Sequence, residues 1–154
     1  YGREAETRAT ITPDGWLRSG DLISIDERSY ISIIGRLKDM IIRGGANIYP
    51  REIEDALFEH PAVAQAAVIG LPDAKWGEIV VAVVELARGQ SANFQELDRL
   101  CRERLAPFKV PTMWCQTDSF PLNATGKIQK MALVDWVREG RLNPASVKQQ
   151  PQAG

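Results

Sequence analysis

The chain has 154 residues, 44% hydrophobic and 25% charged, a composition typical of a globular protein with one compact domain and flanking pieces. A formal net charge of −1 supplies no field that would draw it to nucleic acid or an anionic membrane, and no apolar run reaches spanning length. Cys101 and Cys115 stand apart without a CxxC pair and His60 is the single histidine, so we expect no metal site, no histidine-based triad and a reduced, cytoplasmic setting.

The chain opens on Tyr1 in a polar segment, and we expect a piece of a longer protein. Gly15-Trp16-Leu17-Arg18-Ser19-Gly20-Asp21 leads into a hairpin, with strands at 22–25 and 30–34 and a turn at Asp26-Glu27-Arg28-Ser29. A lone hairpin is marginal in water, so region 1–36 reads as the remnant of a larger preceding domain. Next come an apolar strand-like run at 40–42, the Gly44-Gly45 pair and a helix start at Pro50, a residue suited to the first helical position. Ile53, Ala56 and Leu57 give that helix one apolar face.

Beyond it we expect a strand at 63–69, a loop at 70–77 and a strand at 79–86 whose continuous apolar character suits burial on both faces. Asn93 and Glu96 form a capping box ahead of a helix striped by Leu97, Leu100, Cys101 and Leu105, which Pro107 ends. A short strand at 113–117, a polar loop at 121–126 and a last helix with Leu133, Val134 and Val137 complete the pattern. The tail from 143 to 154, rich in Pro, Gln, Ala and Ser, reads as disordered. This is an α+β plan with about three main strands and about three helices besides the hairpin. Its domains are 1–36, 37–142 and a 143–154 tail.

Three side chains carry a chemical suggestion when taken together. Asp21, at the end of a turn, offers a carboxylate that can accept two ribose hydroxyls. Arg36 offers a planar cationic fork for phosphate. Lys127, behind a Thr-Gly turn, is a mobile point charge able to reach a phosphoryl or carboxylate group. It is not a Walker lysine, because Pro121 stands where that motif needs its first Gly and Ile128 replaces the Ser or Thr.

Read in order, five segments resemble the C-terminal end of an adenylate-forming enzyme, the superfamily of acyl-CoA synthetases, firefly luciferases and nonribosomal adenylation domains. They are Gly15 to Asp21, Gly35 to Glu54, Pro72-Asp73 with Gly77-Glu78, Leu105 to Pro111, and Pro121-Leu122-Asn123-Ala124-Thr125-Gly126-Lys127-Ile128. Asn123 stands where the family pattern often has Thr or Ser.

The resemblance implies a two-step reaction, in which a carboxylate and ATP with Mg2+ give an acyl-adenylate, and a thiol such as CoA then displaces AMP. It also implies roles: Asp21 and Arg36 bind nucleotide, Lys127 is catalytic in adenylation, and Lys38 is the hinge of a swinging small domain. Gly44 and Gly45 would line the path of the CoA thiol. From their basic character near that turn, we further expect Arg43, Arg51 and Lys109 to help hold the CoA nucleotide. The partner implied is an N-terminal AMP-binding domain of the same chain, and the substrate a small carboxylate, most simply a fatty acid. Two alternatives stand beside a free CoA ligase: an adenylation domain loading a phosphopantetheine carrier, and a non-catalytic binding module. Nothing after Gly140 resembles a carrier's Gly-Gly-x-Ser site.

Overall fold

The computed structural model describes residues 2–147, and the chain divides between Lys38 and Asp39 into two compact units. The first begins with helix α1 (Glu4–Thr10), which sequence periodicity does not announce because it buries no residue. It is held by exposed pairs such as Arg3–Glu6 and Arg8–Glu4. Strands β1 (Asp21–Ile25) and β2 (Ile31–Arg36) then pair antiparallel. Asp26 shapes their turn, with Oδ1 accepting the N–H groups of Arg28 and Tyr30 at 2.9 Å. The register sets Ile23 opposite Ile33 and Ile25 opposite Ile31, so four isoleucines share one exposed face.

The second unit is a five-stranded sheet with helices on both faces. Strands β3 (Ile41–Arg43) and β4 (Ala46–Ile48) make a tight hairpin about Gly44-Gly45. The expectation of a glycine turn leading straight to a helix is corrected here, since β4 lies between them. Both glycines have positive φ, +57° and +83°, as a two-residue type I′ turn requires. Helix α2 (Pro50–Phe58) follows with Pro50 in its first turn.

Strands β5 (Val63–Asp73) and β6 (Gly77–Leu86) form the long central hairpin. The segment expected as a loop at 70–77 is thus mostly strand, with only residues 74–76 turning. β5 ends the sheet order, and an edge strand tolerates Pro72 because a missing N–H there need not break the ladder. Helix α3 (Phe94–Arg104) starts on the expected capping box, Asn93 Oδ1 accepting Glu96 N–H while Glu96 Oε2 accepts Asn93 N–H. Strand β7 (Met113–Gln116) runs parallel to β6, and helix α4 (Lys130–Arg138) closes the fold.

The alternation along β6 explains the layers. Val80, Ala82 and Val84 join Ile53 and Leu57 of α2 and Leu97 and Cys101 of α3 in one core. Val81 and Val83 point the other way, into a core with Leu133 and Val134 of α4. Each β6 residue from 80 to 84 is buried, which is why this stretch reads as unbroken apolar sequence. The expected disorder from residue 143 is corrected for its first part: Ala145 bridges Trp114 through two backbone hydrogen bonds of 2.9 Å. Residues 148–154 of that tail lie outside the described residues.

Candidate functional site

The candidate residues fall in both units. In the first, the hairpin register sets Asp21 directly opposite Arg36. Arg36 Nε lies 3.3 Å from Asp21 Oδ1, with the carboxylate side chain 27% exposed. Ser19 Oγ accepts Asp21 N–H at 3.1 Å, and Leu37 N–H is donated to Gly20 O at 2.8 Å, fixing the strand ends around the pair. Beside it, Ser19, Gly20, Arg36, Leu37 and Lys38 line an open cleft of about 380 Å³. Of the paired groups, the Arg36 guanidinium lines this cleft, a planar cationic fork whose geometry suits an anionic oxygen pair. Lys38 is exposed and sits in a single 3-10 turn, Leu37–Asp39, and the division between the units falls just after it.

In the second unit, Lys127 stands exposed on a closed loop and makes no ion pair among the described residues. The loop is pinned at its base by the bridge between Leu122 and Ile128 and by Gln129 N–H donated to Pro121 O at 2.8 Å. Gly126, at φ +77°, takes the left-handed conformation that turns the chain toward Lys127. Behind the loop, Lys130 Nζ lies 2.7 Å from Glu54 Oε1, an oxygen that also accepts Val68 N–H at 2.8 Å. The start of α4 is therefore tied to both α2 and β5.

The Gly44-Gly45 turn is backed by the tip of the β5–β6 hairpin. Gly44 N–H is donated to Trp76 O at 2.7 Å, and a Cβ at Gly44 would lie 3.0 Å from the indole Cε3. Glu78 Oε2 accepts Ile42 N–H at 2.7 Å, and Gly70 leaves the space its carboxylate fills. Trp76 and Glu78 support this turn; sequence reading noted Gly77-Glu78 only as part of a motif and passed over Trp76. No sequence signal marked Trp76, because its approach to Gly44 joins residues far apart in the chain.

The three cations expected to hold the CoA nucleotide are engaged within the unit. Arg43 Nη1 donates to Phe108 O at 2.9 Å, its guanidinium lies 5.5 Å from the Trp76 ring centre, and its Nε is buried without a partner among the described residues. Lys109 Nζ meets both oxygens of Glu52 at 2.7 and 2.6 Å, with its side chain 21% exposed. Arg51 pairs with Asp55 at 2.8 Å across one helical turn, both side chains more than half exposed.

The remaining reactive side chains are quiet. Burial, with the Asp98 carboxylate adding to it, pushes the Cys101 thiol up to about 12, and burial pushes Cys115 up to about 12 as well. His60 Nδ1 accepts Ala62 N–H at 3.2 Å, a structural contact after α2. Among the described residues no group of His, Cys, Asp or Glu could hold a metal ion. No helix among them is long and apolar enough to cross a membrane.

The carboxylate–guanidinium pair beside its cleft belongs to the first unit, and the lysine loop and the glycine turn belong to the second. Residues 52–127 match the family model described as AMP-binding enzyme C-terminal domain, and the chain belongs to that family. It is 44% identical over 135 residues to the long-chain-fatty-acid–CoA ligase of Bacillus subtilis, covering 88% of this chain and 24% of that protein. It is 45% identical over 130 residues to the mitochondrial medium-chain acyl-CoA ligase ACSF2 of Danio rerio, covering 84% of this chain and 22% of that protein. The o-succinylbenzoate CoA synthetase MenE of Bacillus subtilis, solved with the acyl-adenylate intermediate OSB-AMP, superposes with a TM-score of 0.81 at 39% identity, over 86% of this chain and 27% of that one. The chain spans about a quarter of the length of the curated relatives it matches.

Proposed function

We propose that this chain is the C-terminal part of an ATP-dependent acyl-CoA synthetase, which joins a carboxylic acid to the CoA thiol through an acyl-adenylate. The observation that carries this reading is the division of chemistry between the units. The first holds the Asp21–Arg36 pair at a cleft, while the second holds Lys127 on one loop and Gly44-Gly45 on another.

In adenylation, the substrate carboxylate oxygen bonds to the α-phosphorus of ATP as the bond to pyrophosphate breaks. Asp21 accepts the ribose hydroxyls and Arg36 steadies the nucleotide's ribose and phosphate. Lys127 places its ammonium against the α-phosphoryl and carboxylate oxygens, where charge builds in the transition state. In thioester formation, the CoA sulfur bonds to the acyl carbon and AMP leaves. Rotation about Lys38 withdraws Lys127 and presents the Gly44-Gly45 turn, whose bare backbone lets the thiol arm pass.

Magnesium accompanies ATP in this reading. Of the three cations, Arg51 keeps an exposed and exchangeable ion pair and suits a CoA phosphate best, while Arg43 and Lys109 brace the turn and α2. The partner is an N-terminal AMP-binding domain on the same polypeptide. The substrate we favour is a fatty acid, supported by the long-chain-fatty-acid–CoA ligase among the relatives, and the setting we favour is cytoplasmic.

Asp21→Ala and Lys127→Ala in the full-length enzyme test this directly. Loss of one hydrogen-bonded charge at Asp21 lowers kcat/KM for ATP about tenfold to a hundredfold. Loss of Lys127 slows adenylation by about 2.7–4 kcal/mol. Retention of full adenylation by both variants would mean that the domain is a non-catalytic binding module.

A further inference from the structure

We propose that Asn123 is a positioning residue for Lys127, gripping both polar groups of that residue's own main chain. This rests on the reading of Lys127 as the adenylation lysine. Asn123 N–H is donated to Lys127 O at 2.9 Å, and Asn123 Oδ1 accepts Lys127 N–H at 2.9 Å. The same Oδ1 accepts Thr125 N–H at 3.0 Å and the Thr125 hydroxyl at 2.8 Å, and Asn123 O accepts Gly126 N–H at 2.9 Å. One residue thus organises every turn of the segment between Pro121 and Ile128.

The chemistry explains why the grip falls to the side chain. Every residue from 122 to 127 is exposed, so no core packing orders the loop. An ordered loop of this kind needs local hydrogen bonds from a short polar side chain to backbone two and four residues ahead, which Asn supplies from its carbonyl oxygen. The Lys side chain is long and rotamer-rich, and its ammonium makes no ion pair among the described residues. Direction must come from the Cα position and the peptide planes on either side, the two things Asn123 holds. A misplacement of about 1 Å in a reacting group is enough to cost about a hundredfold in rate.

The position also carries a specific chemical choice. A Ser or Thr hydroxyl sits one atom nearer the backbone than Oδ1 and makes the weaker version of the same turn. Asn123 reaches one atom further, far enough to serve Thr125 and Lys127 together.

The test compares Asn123→Leu, Asn123→Asp and Lys127→Ala in the full-length enzyme, with adenylation read by pyrophosphate exchange and the second step by thioester release from supplied acyl-adenylate. Leu keeps the shape and removes the acceptor; Asp keeps the acceptor. Asn123→Leu is expected to lower kcat for adenylation roughly tenfold to a hundredfold at unchanged KM for ATP. Thioester formation should be untouched, and Asn123→Asp should recover most of the loss. Amide exchange at Thr125 and Lys127 in the 154-residue chain should quicken in Asn123→Leu and not in Asn123→Asp. Equal loss in both half-reactions would show a merely structural residue, and unchanged adenylation beside an inactive Lys127→Ala would overturn the proposal. Full adenylation in Lys127→Ala would instead overturn the reading on which it rests.

Discussion

At the scale of single residues, several side chains are defined by what they already touch. Lys109 is held by Glu52 and little exposed, so Lys109→Met is expected to leave the KM for CoA unchanged and to lower stability by no more than about 1 kcal/mol, measured by urea unfolding. A rise in that KM would return Lys109 to the phosphate-binding set. Gly44 is constrained twice, by its φ of +57° and by the indole 3.0 Å from any Cβ. Gly44→Ala should destabilise the second unit by about 1–3 kcal/mol, and an unchanged unfolding midpoint would contradict the turn geometry.

The two buried thiols set an alkaline limit. Their folded pKa values, raised to about 12 from the ordinary 9.0, mean that above pH 9 the unfolded chain releases protons that the folded chain keeps. Stability therefore falls as pH rises from 9 toward 12, and replacing both Cys101 and Cys115 by Ala should flatten that part of the pH profile.

At the scale of elements, the hairpin of β3 and β4 hangs on the sheet by one backbone pairing, Arg43 with Gly77, supplemented by the Glu78 carboxylate on Ile42 N–H. Glu78→Ala should remove about 1–3 kcal/mol and quicken amide exchange across residues 41–48 while the β5–β6 ladder stays protected. Uniform quickening of both would show that Glu78 serves the whole sheet.

The same elements show what can be read from sequence. Helices α2, α3 and α4 announce themselves through Pro50, the Asn93–Glu96 box and their apolar stripes, because caps and periodicity are local. α1 has no apolar face and so leaves no periodic signal. β5 runs through Pro72 because its edge position, a property of the sheet, relaxes the usual penalty. Asp21 and Arg36 were each readable as candidates, but their pairing was not, since it depends on the hairpin register and its irregularity between Leu22 and Ile23. The engagement of Arg43 with Phe108 and of Lys109 with Glu52 was not, since those partners lie 65 and 57 residues away in sequence. A charge can be counted from the chain alone, but its availability depends on tertiary neighbours.

At the scale of the whole molecule, the account depends on two compact units joined at Lys38 and Asp39, each carrying part of a divided chemistry. Stiffening the proposed hinge at Lys38 should separate the two half-reactions. Lys38→Pro fixes φ near −65° and removes a backbone donor at the turn without touching Lys127 or the glycine pair.

The most direct measurement assays both half-reactions separately in the full-length enzyme for wild type, Lys127→Ala and Lys38→Pro. The account predicts that Lys127→Ala loses pyrophosphate exchange and keeps thioester release from supplied acyl-adenylate, while Lys38→Pro does the reverse. If both variants keep both half-reactions, the alternating domain is contradicted and this part of the chain acts only as a cover over the site.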